Sequence, residues 1–176
     1  LKPCVPKIMA TLTQQQDSSN THLVLDYEGS TEFTKHMQLR DGWKDPPGIK
    51  VRPRAGIAAM ECLVANDPSG LAAKLGAALM LGVTVQLQQV GYEEGKNLVG
   101  FGYDWRMPCT KMEERDSYFS NTMKGMEELV KRNGGEKIVV VTHSLGGVCA
   151  SYFFHWVAHS DHGRAKGGVK WLEQNI

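Results

Sequence analysis

A serine hydroxyl held on a sharp turn between a strand and a helix can act as a nucleophile, and residues 137–147, KIVVVTHSLGG, have the residue types for that turn. Ile138 to Val141 are consecutive β-branched residues, a run that predicts a strand buried on both faces, as in a parallel sheet. The turn follows at Thr142-His143-Ser144-Leu145-Gly146. Its usual form is G-x-S-x-G, with small residues two before and two after the serine because the strand and helix backbones nearly touch there. Gly146 and Gly147 satisfy the far side, while Thr142 replaces the near glycine. The chemistry of such an elbow is acyl transfer, to water or to another alcohol, with the Ser144 hydroxyl oxygen as the reacting atom. The competing reading is a plain S-x-G-G connection. The β-branched run, the His-Ser pair, the double glycine and the aromatic helix that follows together favour the elbow.

That helix is predicted over 148–157, where Val148, Tyr152 and Trp156 recur every four residues, flanked by Cys149, Phe153 and Val157. Its N-terminus then points at the serine, and its unbonded N–H groups and dipole favour the negative charge of a tetrahedral intermediate. The backbone N–H of Leu145, the residue after the nucleophile, is the expected oxyanion donor. His143 is next in sequence, but on an elbow its side chain projects away from the serine, which makes it a poor general base.

Other elements must hold this turn in place. Leu71 to Gln89 reads as a helix of small and apolar residues, weakened by Gly76 and Gly82. Asn97 to Trp105 reads as a strand with Leu98, Val99 and Phe101 as its apolar centre. Thr110-Lys111-Met112-Glu113 has the form of a capping box and opens a helix whose inner face is Phe119, Met123, Met126 and Val130. Asn133-Gly134-Gly135 ends that helix. The order strand, helix, strand, elbow, helix predicts a βαβ unit on a parallel sheet. Upstream, residues 10–21 are polar and weakly patterned and read as a surface loop, and Leu23 to Tyr27 as a short strand. Asp45-Pro46-Pro47-Gly48 is a turn, and Ile49 to Arg52 a strand ended by Pro53. After residue 164 a glycine-rich loop leads to Trp171–Ile176.

The 176 residues suffice for one domain with a sizeable core, and the net charge of +1 gives no electrostatic case for nucleic acid. Four cysteines, at 4, 62, 109 and 149, show no C-x-x-C spacing, so metal or redox use is not indicated and disulfide status stays open. His155, His159 and His162 lack partner ligands and read as solvated or capping residues rather than a metal site. No run approaches the roughly 20 apolar residues of a bilayer span, and no signal peptide is visible. A first residue of leucine points to a piece of a longer product.

Three segments resemble one family, the lecithin:cholesterol acyltransferase-like enzymes. The first is Asp45-Pro46-Pro47-Gly48-Ile49-Lys50-Val51-Arg52, preceded by His36-Met37. The second is Gly91-Tyr92-Glu93-Glu94 leading to Tyr103-Asp104-Trp105-Arg106. The third runs from Asn133-Gly134-Gly135 through His143-Ser144 to a helix ending at Trp156-Val157. The resemblance covers about residues 35–176, with 1–34 as a polar lead-in, and the YDWR and DPPGI strings are far more specific than the serine turn.

The resemblance implies an α/β-hydrolase fold, here incomplete at both ends, and a Ser-Asp-His triad whose serine is Ser144. The triad aspartate and histidine would lie beyond this chain, so the isolated chain is expected to be inactive. Loss of one triad member costs on the order of 10⁶ in turnover in a serine protease. The implied reaction moves a fatty acyl group from the sn-2 position of a phospholipid to diacylglycerol or a sterol at the endoplasmic reticulum membrane surface, without cofactor or metal. Two alternatives stay open: a phospholipase A-type hydrolase and a non-catalytic lipid-binding fragment. Asp104 and Arg106 sit at a strand end, where α/β ligand sites gather, and read either as a structural ion pair or as residues that shape the mouth of the acyl site.

Overall fold

A computed structural model describes residues 9–12, 16–17, 38–45, 52–53, 55–61 and 80–176. In chain order its strands are β1 (Met9–Leu12), β2 (Gln16–Asp17), β3 (Arg52–Pro53), β4 (Leu98–Gly100) and β5 (Val139–Thr142). The helices are α1 (Ala58–Glu61), α2 (Leu81–Gln89), α3 (Cys109–Asp116), α4 (Tyr118–Arg132), α5 (Leu145–His159), α6 (Asp161–Ala165) and α7 (Val169–Asn175). The expected strand at Leu23–Tyr27, the turn residues Pro46–Gly48 and the first part of the 71–89 helix lie outside the described residues.

Residues 10–21 were expected to be a surface loop, and the part of that span that is described, 10–12 and 16–17, is strand instead, while 13–15 and 18–21 lie outside the described residues. β1 lies between β4 and β5, parallel to both, in register from Met9 opposite Leu98 and Val139 to Leu12 opposite Thr142. Pairing with two partners outweighs the weak local pattern, since strand preference depends more on neighbours than on the segment itself. β2 pairs antiparallel with β3, and Pro53 is inside that ladder rather than past its end. A two-stranded ribbon has edges that tolerate proline. β4 is shorter than the expected 97–105 strand. A Cβ on its last residue, Gly100, would lie 2.4 Å from the Gly56 carbonyl oxygen, so two backbones meet there and the chain turns away. β5 was expected to be buried on both faces, but it is the outer strand of the described sheet and Val139 is exposed.

The helix expected to start at a capping box is two helices. α3 begins at Cys109 with Pro108 at its N-cap and no side-chain cap bond. Glu113 does not reach back to Thr110. Its carboxylate accepts from the backbone N–H of Phe119 (2.8 Å) and Ser120 (3.0 Å) and from the Ser120 hydroxyl. Those amides open α4, so the acid caps the second helix across a break at Ser117, which is left-handed at φ 50°. The reason for the break lies in what each half presents. α3 carries Arg115 and Asp116 toward charged partners, while α4 buries Phe119, Met123, Met126 and Leu129. Val130, expected on that face, is only half-buried. Asn133 bonds back to the Leu129 carbonyl (2.9 Å), and Gly134 and Gly135 take φ of 75° and 87° to end α4.

α5 buries the flanking row, Cys149, Phe153 and Val157, rather than the Val148 row, and Val148 is 60 % exposed. Tyr152 and Trp156 still edge the core, with ring centroids 5.4 and 5.7 Å from Phe119, and Phe153 stacks on Phe119 at 6.0 Å. The stretch after 164 is not a simple loop. α6 is capped by Ser160, whose hydroxyl accepts from Gly163 N–H at 3.0 Å. In α7, Trp171 is buried and donates its indole N–H to Glu127 (2.9 Å). The Asn175 carbonyl at its end accepts from Ile138 N–H (2.7 Å), which ties α7 to the root of β5.

If Glu113 caps α4, Glu113→Ala lowers stability by about 1–2 kcal/mol, the range of a lost cap. Thr110→Ala, with no cap bond to lose, stays within about 0.5 kcal/mol. Urea unfolding of the two variants decides between this cap and a capping box, which requires both to be destabilised.

Candidate active site

β5 ends at Thr142, and two residues later the backbone of Ser144 adopts φ 53°, ψ −124° before α5 begins at Leu145. Non-glycine residues avoid this region, at a cost on the order of 1–3 kcal/mol. The N-cap of α7 has nearly the same angles, φ 57° and ψ −124°, and is occupied by Gly168, which adopts them freely. Ser144 thus holds a conformation that glycine adopts freely and a serine adopts only under strain. That hydroxyl does not cap α5, although serine is a favoured N-cap residue, and Ser144 is exposed.

The first turn of α5 is tight, with Gly146 N–H bonded to the His143 carbonyl and Gly147 N–H to the Ser144 carbonyl, both at 2.9 Å. The Leu145 N–H, as the first amide of a helix, has no intrahelical acceptor. Thr142 at the near-glycine position is accommodated from the other side. Its Oγ1 lies 3.7 Å from where a Cβ on Gly147 would stand, so the missing side chain there leaves the room. The geometry offers a solvent-facing hydroxyl, a helix N-terminus beside it and an amide free to receive an oxyanion.

Among the described residues, the histidines of α5 and α6 lie away from this turn, and His22 and His36 lie outside the described residues. His155 follows Ser144 by eleven residues along α5, roughly 16 Å at 1.5 Å per residue. It stacks on His159 at 4.2 Å, and His162 stacks on Trp156 at 5.4 Å. Among the described residues no group of three His, Cys, Asp or Glu side chains could hold a metal ion. Cys109 and Cys149 are free thiols, and burial pushes the Cys149 thiol far up. Cys4 and Cys62 lie outside the described residues.

Asp104 and Arg106 pair with each other and with much more. Arg106 grips Asp104 through Nε (2.8 Å) and Nη2 (2.7 Å), and its backbone N–H adds a third bond at 3.1 Å. The same Nη2 reaches Asp45 at 2.7 Å. Asp45 pairs with Arg52, Arg52 lies 3.5 Å from Asp116, Asp116 pairs with Arg115 at 2.5 Å, and Arg115 returns to Asp104 at 2.6 Å. Three aspartates and three arginines thus alternate in a closed ring with no net charge. Arg115 also donates to the Trp43 carbonyl (3.2 Å), which holds the 38–45 turn against the ring.

The ring is most buried at Asp104 and Arg106, whose side chains are 0 % and 2 % exposed. Burial alone would raise the Asp104 carboxyl, but hydrogen bonds from Arg106 and Arg115 outweigh it and hold the group below its ordinary value. Asp45 shows the same balance, with burial opposed by Arg106 and Arg52. Arg106 and Arg115 are raised because their bonds to the aspartates overcome burial. The sequence pointed to Asp104 and Arg106 and included Asp45 and Arg52 in a motif, but it carried no signal that Arg115 and Asp116 close the circuit.

Two stability predictions follow from this geometry. Ser144→Gly is more stable than Ser144→Ala by roughly 1 kcal/mol, because only glycine relieves the strained turn. Equal unfolding midpoints would remove the strain from consideration. Arg106→Ala leaves Asp104 buried with part of its compensation gone and destabilises by about 3–5 kcal/mol. Both aspartates are depressed in the folded state, so the ring's contribution is full above about pH 4 and is lost as pH falls through the folded values. Urea unfolding from pH 7 down to 3 should show that loss in the parent and a much smaller one in Arg106→Ala.

A family model for lecithin:cholesterol acyltransferase matches residues 19–176. A Schizosaccharomyces pombe protein named phospholipid:diacylglycerol acyltransferase is 33% identical over 145 residues, which is 82% of this chain and 21% of that protein. Arabidopsis thaliana phospholipid:diacylglycerol acyltransferase 1 is 31% identical over 145 residues, 82% of this chain and 20% of that protein. Arabidopsis thaliana phospholipid–sterol O-acyltransferase is 33% identical over 137 residues, 75% of this chain and 20% of that protein. The chain spans about a fifth of the length of these curated relatives. With a match that runs from the 38–45 turn through the charge ring to the serine elbow, the chain belongs to the lecithin:cholesterol acyltransferase family.

Proposed function

We propose that the protein is a serine-dependent O-acyltransferase of lipid metabolism, moving a fatty acyl group from a phospholipid to diacylglycerol or a sterol. The observation that carries this reading is the strained, exposed Ser144 at the head of α5 in a member of this family. The substrates follow the names of the relatives, two of which pair phospholipid with diacylglycerol and one phospholipid with sterol. We read β4, β1 and β5 as part of an α/β-hydrolase sheet, whose nucleophile stands on such an elbow. The endoplasmic reticulum membrane surface is the proposed place of reaction, on the family resemblance. No described helix is long and apolar enough to cross a membrane.

In this mechanism the Ser144 oxygen attacks the ester carbonyl of the donor while a general base takes its proton. The Leu145 N–H and the N-terminus of α5 stabilise the oxyanion. The lysophospholipid leaves with a proton, and the acyl group stays on Ser144. An acceptor hydroxyl then attacks the acyl-serine and gives its proton to the base; the bond between the acyl carbon and the Ser144 oxygen breaks, the base returns the proton to that oxygen, and the new ester departs. Water in place of that acceptor would yield free fatty acid, so a water-poor site with room for the acceptor decides between transfer and hydrolysis. No described histidine is assigned as the base.

The test uses the full-length protein with labelled phospholipid and diacylglycerol. Label should appear in triacylglycerol, and Ser144→Ala should abolish it, with a loss on the order of 10⁶ in turnover when a triad serine is removed. Label found only in free fatty acid would identify a hydrolase. Transfer that survives Ser144→Ala would remove Ser144 from the mechanism.

A further inference from the structure

Two free thiols, Cys109 and Cys149, meet in the core behind the elbow. Cys149 follows Ser144 on α5 and is buried, and its sulfur lies 3.9 Å from that of Met112 on α3. Cys109 is three residues before Met112, one turn back on the same face of α3, and packs against the same core cluster as Cys149. The Cys109 and Cys149 thiols are in hydrogen-bonding contact, and the Tyr118 hydroxyl joins them.

A buried cysteine by itself behaves as a small apolar residue. This pair has what a disulfide needs besides contact. Cys109 is half-exposed, so a solvent-borne oxidant reaches the first sulfur without the core opening. It is also the first residue of α3, where Pro108 is the N-cap and no side-chain cap bond pins the turn. That end of the helix can yield as the sulfurs close from contact to a bond of about 2.05 Å.

We infer that Cys109 and Cys149 form a reversible disulfide that ties α3 to the helix carrying Ser144. α3 also carries Arg115 and Asp116, so the bond fastens the charge ring to the elbow. The inference goes beyond the acyltransfer reading and does not rest on it. The oxidant is a small-molecule disulfide such as glutathione disulfide. The Cys109 thiolate attacks one of its sulfurs, which forms a mixed disulfide and releases the first glutathione thiolate. Cys149 then gives up its proton and attacks the Cys109 sulfur, and the second glutathione leaves. Two protein thiols are oxidised, one glutathione disulfide is reduced to two thiols, and the two thiol protons end on them. Burial holds the proton on Cys149, so the second exchange is the slow one.

The experiment equilibrates the full-length protein in mixtures of reduced and oxidised glutathione, blocks remaining thiols with iodoacetamide and digests with trypsin without reduction. Residues 107–111 and 138–164 are the tryptic peptides that carry Cys109 and Cys149. They should appear joined, two hydrogens lighter than the sum of the reduced peptides, and should separate with dithiothreitol. The joined species should be absent from Cys109→Ser and from Cys149→Ala. Because the bond closes a loop between residues 40 apart, oxidation should raise the thermal unfolding midpoint by roughly 5–10 °C. Cys109→Ser keeps every other cysteine and should lack that rise. Its half-exposed position keeps the test decisive if Cys149→Ala does not fold. Cys109 that ends as a glutathione adduct, joins a different cysteine or stays unmodified at every proportion of oxidant overturns the inference. A joined peptide that leaves the midpoint unchanged overturns it as well.

Discussion

The Asp104 carboxylate is the constraint around which this structure is arranged. It is fully buried, and an isolated buried carboxylate would either be protonated or unfold its surroundings. Arg106 and Arg115 keep it ionised, and each of these arginines has a second acid to serve, Asp45 and Asp116. Arg52 joins those two acids and closes the circuit. Segments far apart in the chain are thereby drawn to one point at the end of β4. The break between α3 and α4 fits the same requirement. A continuous helix could not aim Arg115 and Asp116 at the ring while turning Phe119 and Met123 into the core, so Ser117 takes a left-handed conformation and Glu113 bridges the gap.

A cluster of packed aromatic rings supports the elbow. Phe119 of α4 lies at the centre of a group of rings from α5, and Trp171 of α7 meets Phe153 edge-on at 6.2 Å. Aromatic pairs in such arrangements add to simple burial. α5 is held along its buried row, and β5 is held by its pairing with β1 up to Thr142. With both ends anchored, the chain between them has little freedom to relax, which is how a serine can be kept at φ 53°. Met112 and Cys149 connect this cluster to α3 and so to the charge ring.

Much of the candidate site was legible because it is local. The positive φ at residue 144 follows from a strand running into glycines at a serine, and the end of α4 follows from Asn133-Gly134-Gly135. The core face of α4 was nearly right from spacing alone, with Leu129 in place of Val130. Where a segment had two local solutions, spacing misled. Thr110 and Glu113 have the spacing of a capping box, yet Glu113 found unbonded amides at Phe119 and Ser120. In α5 both rows repeat every four residues, and packing against β1, β5 and α7 as well as α4 selects Cys149, Phe153 and Val157 for the interior.

What the sequence determined by itself was the serine turn between β5 and α5 and, through YDWR and DPPGI, the family. These depend on backbone preferences and side-chain types within a few residues of each other. Only the tertiary structure decided that Met9–Leu12 separates β4 from β5, that Asp45, Arg52, Arg115 and Asp116 complete the circuit begun by Asp104 and Arg106, and that Cys149 is buried against α3. The reason is physical. A strand's place depends on which neighbours need its hydrogen bonds, and a charge's partner is whatever opposite charge the folded chain brings within about 4 Å before water can screen it.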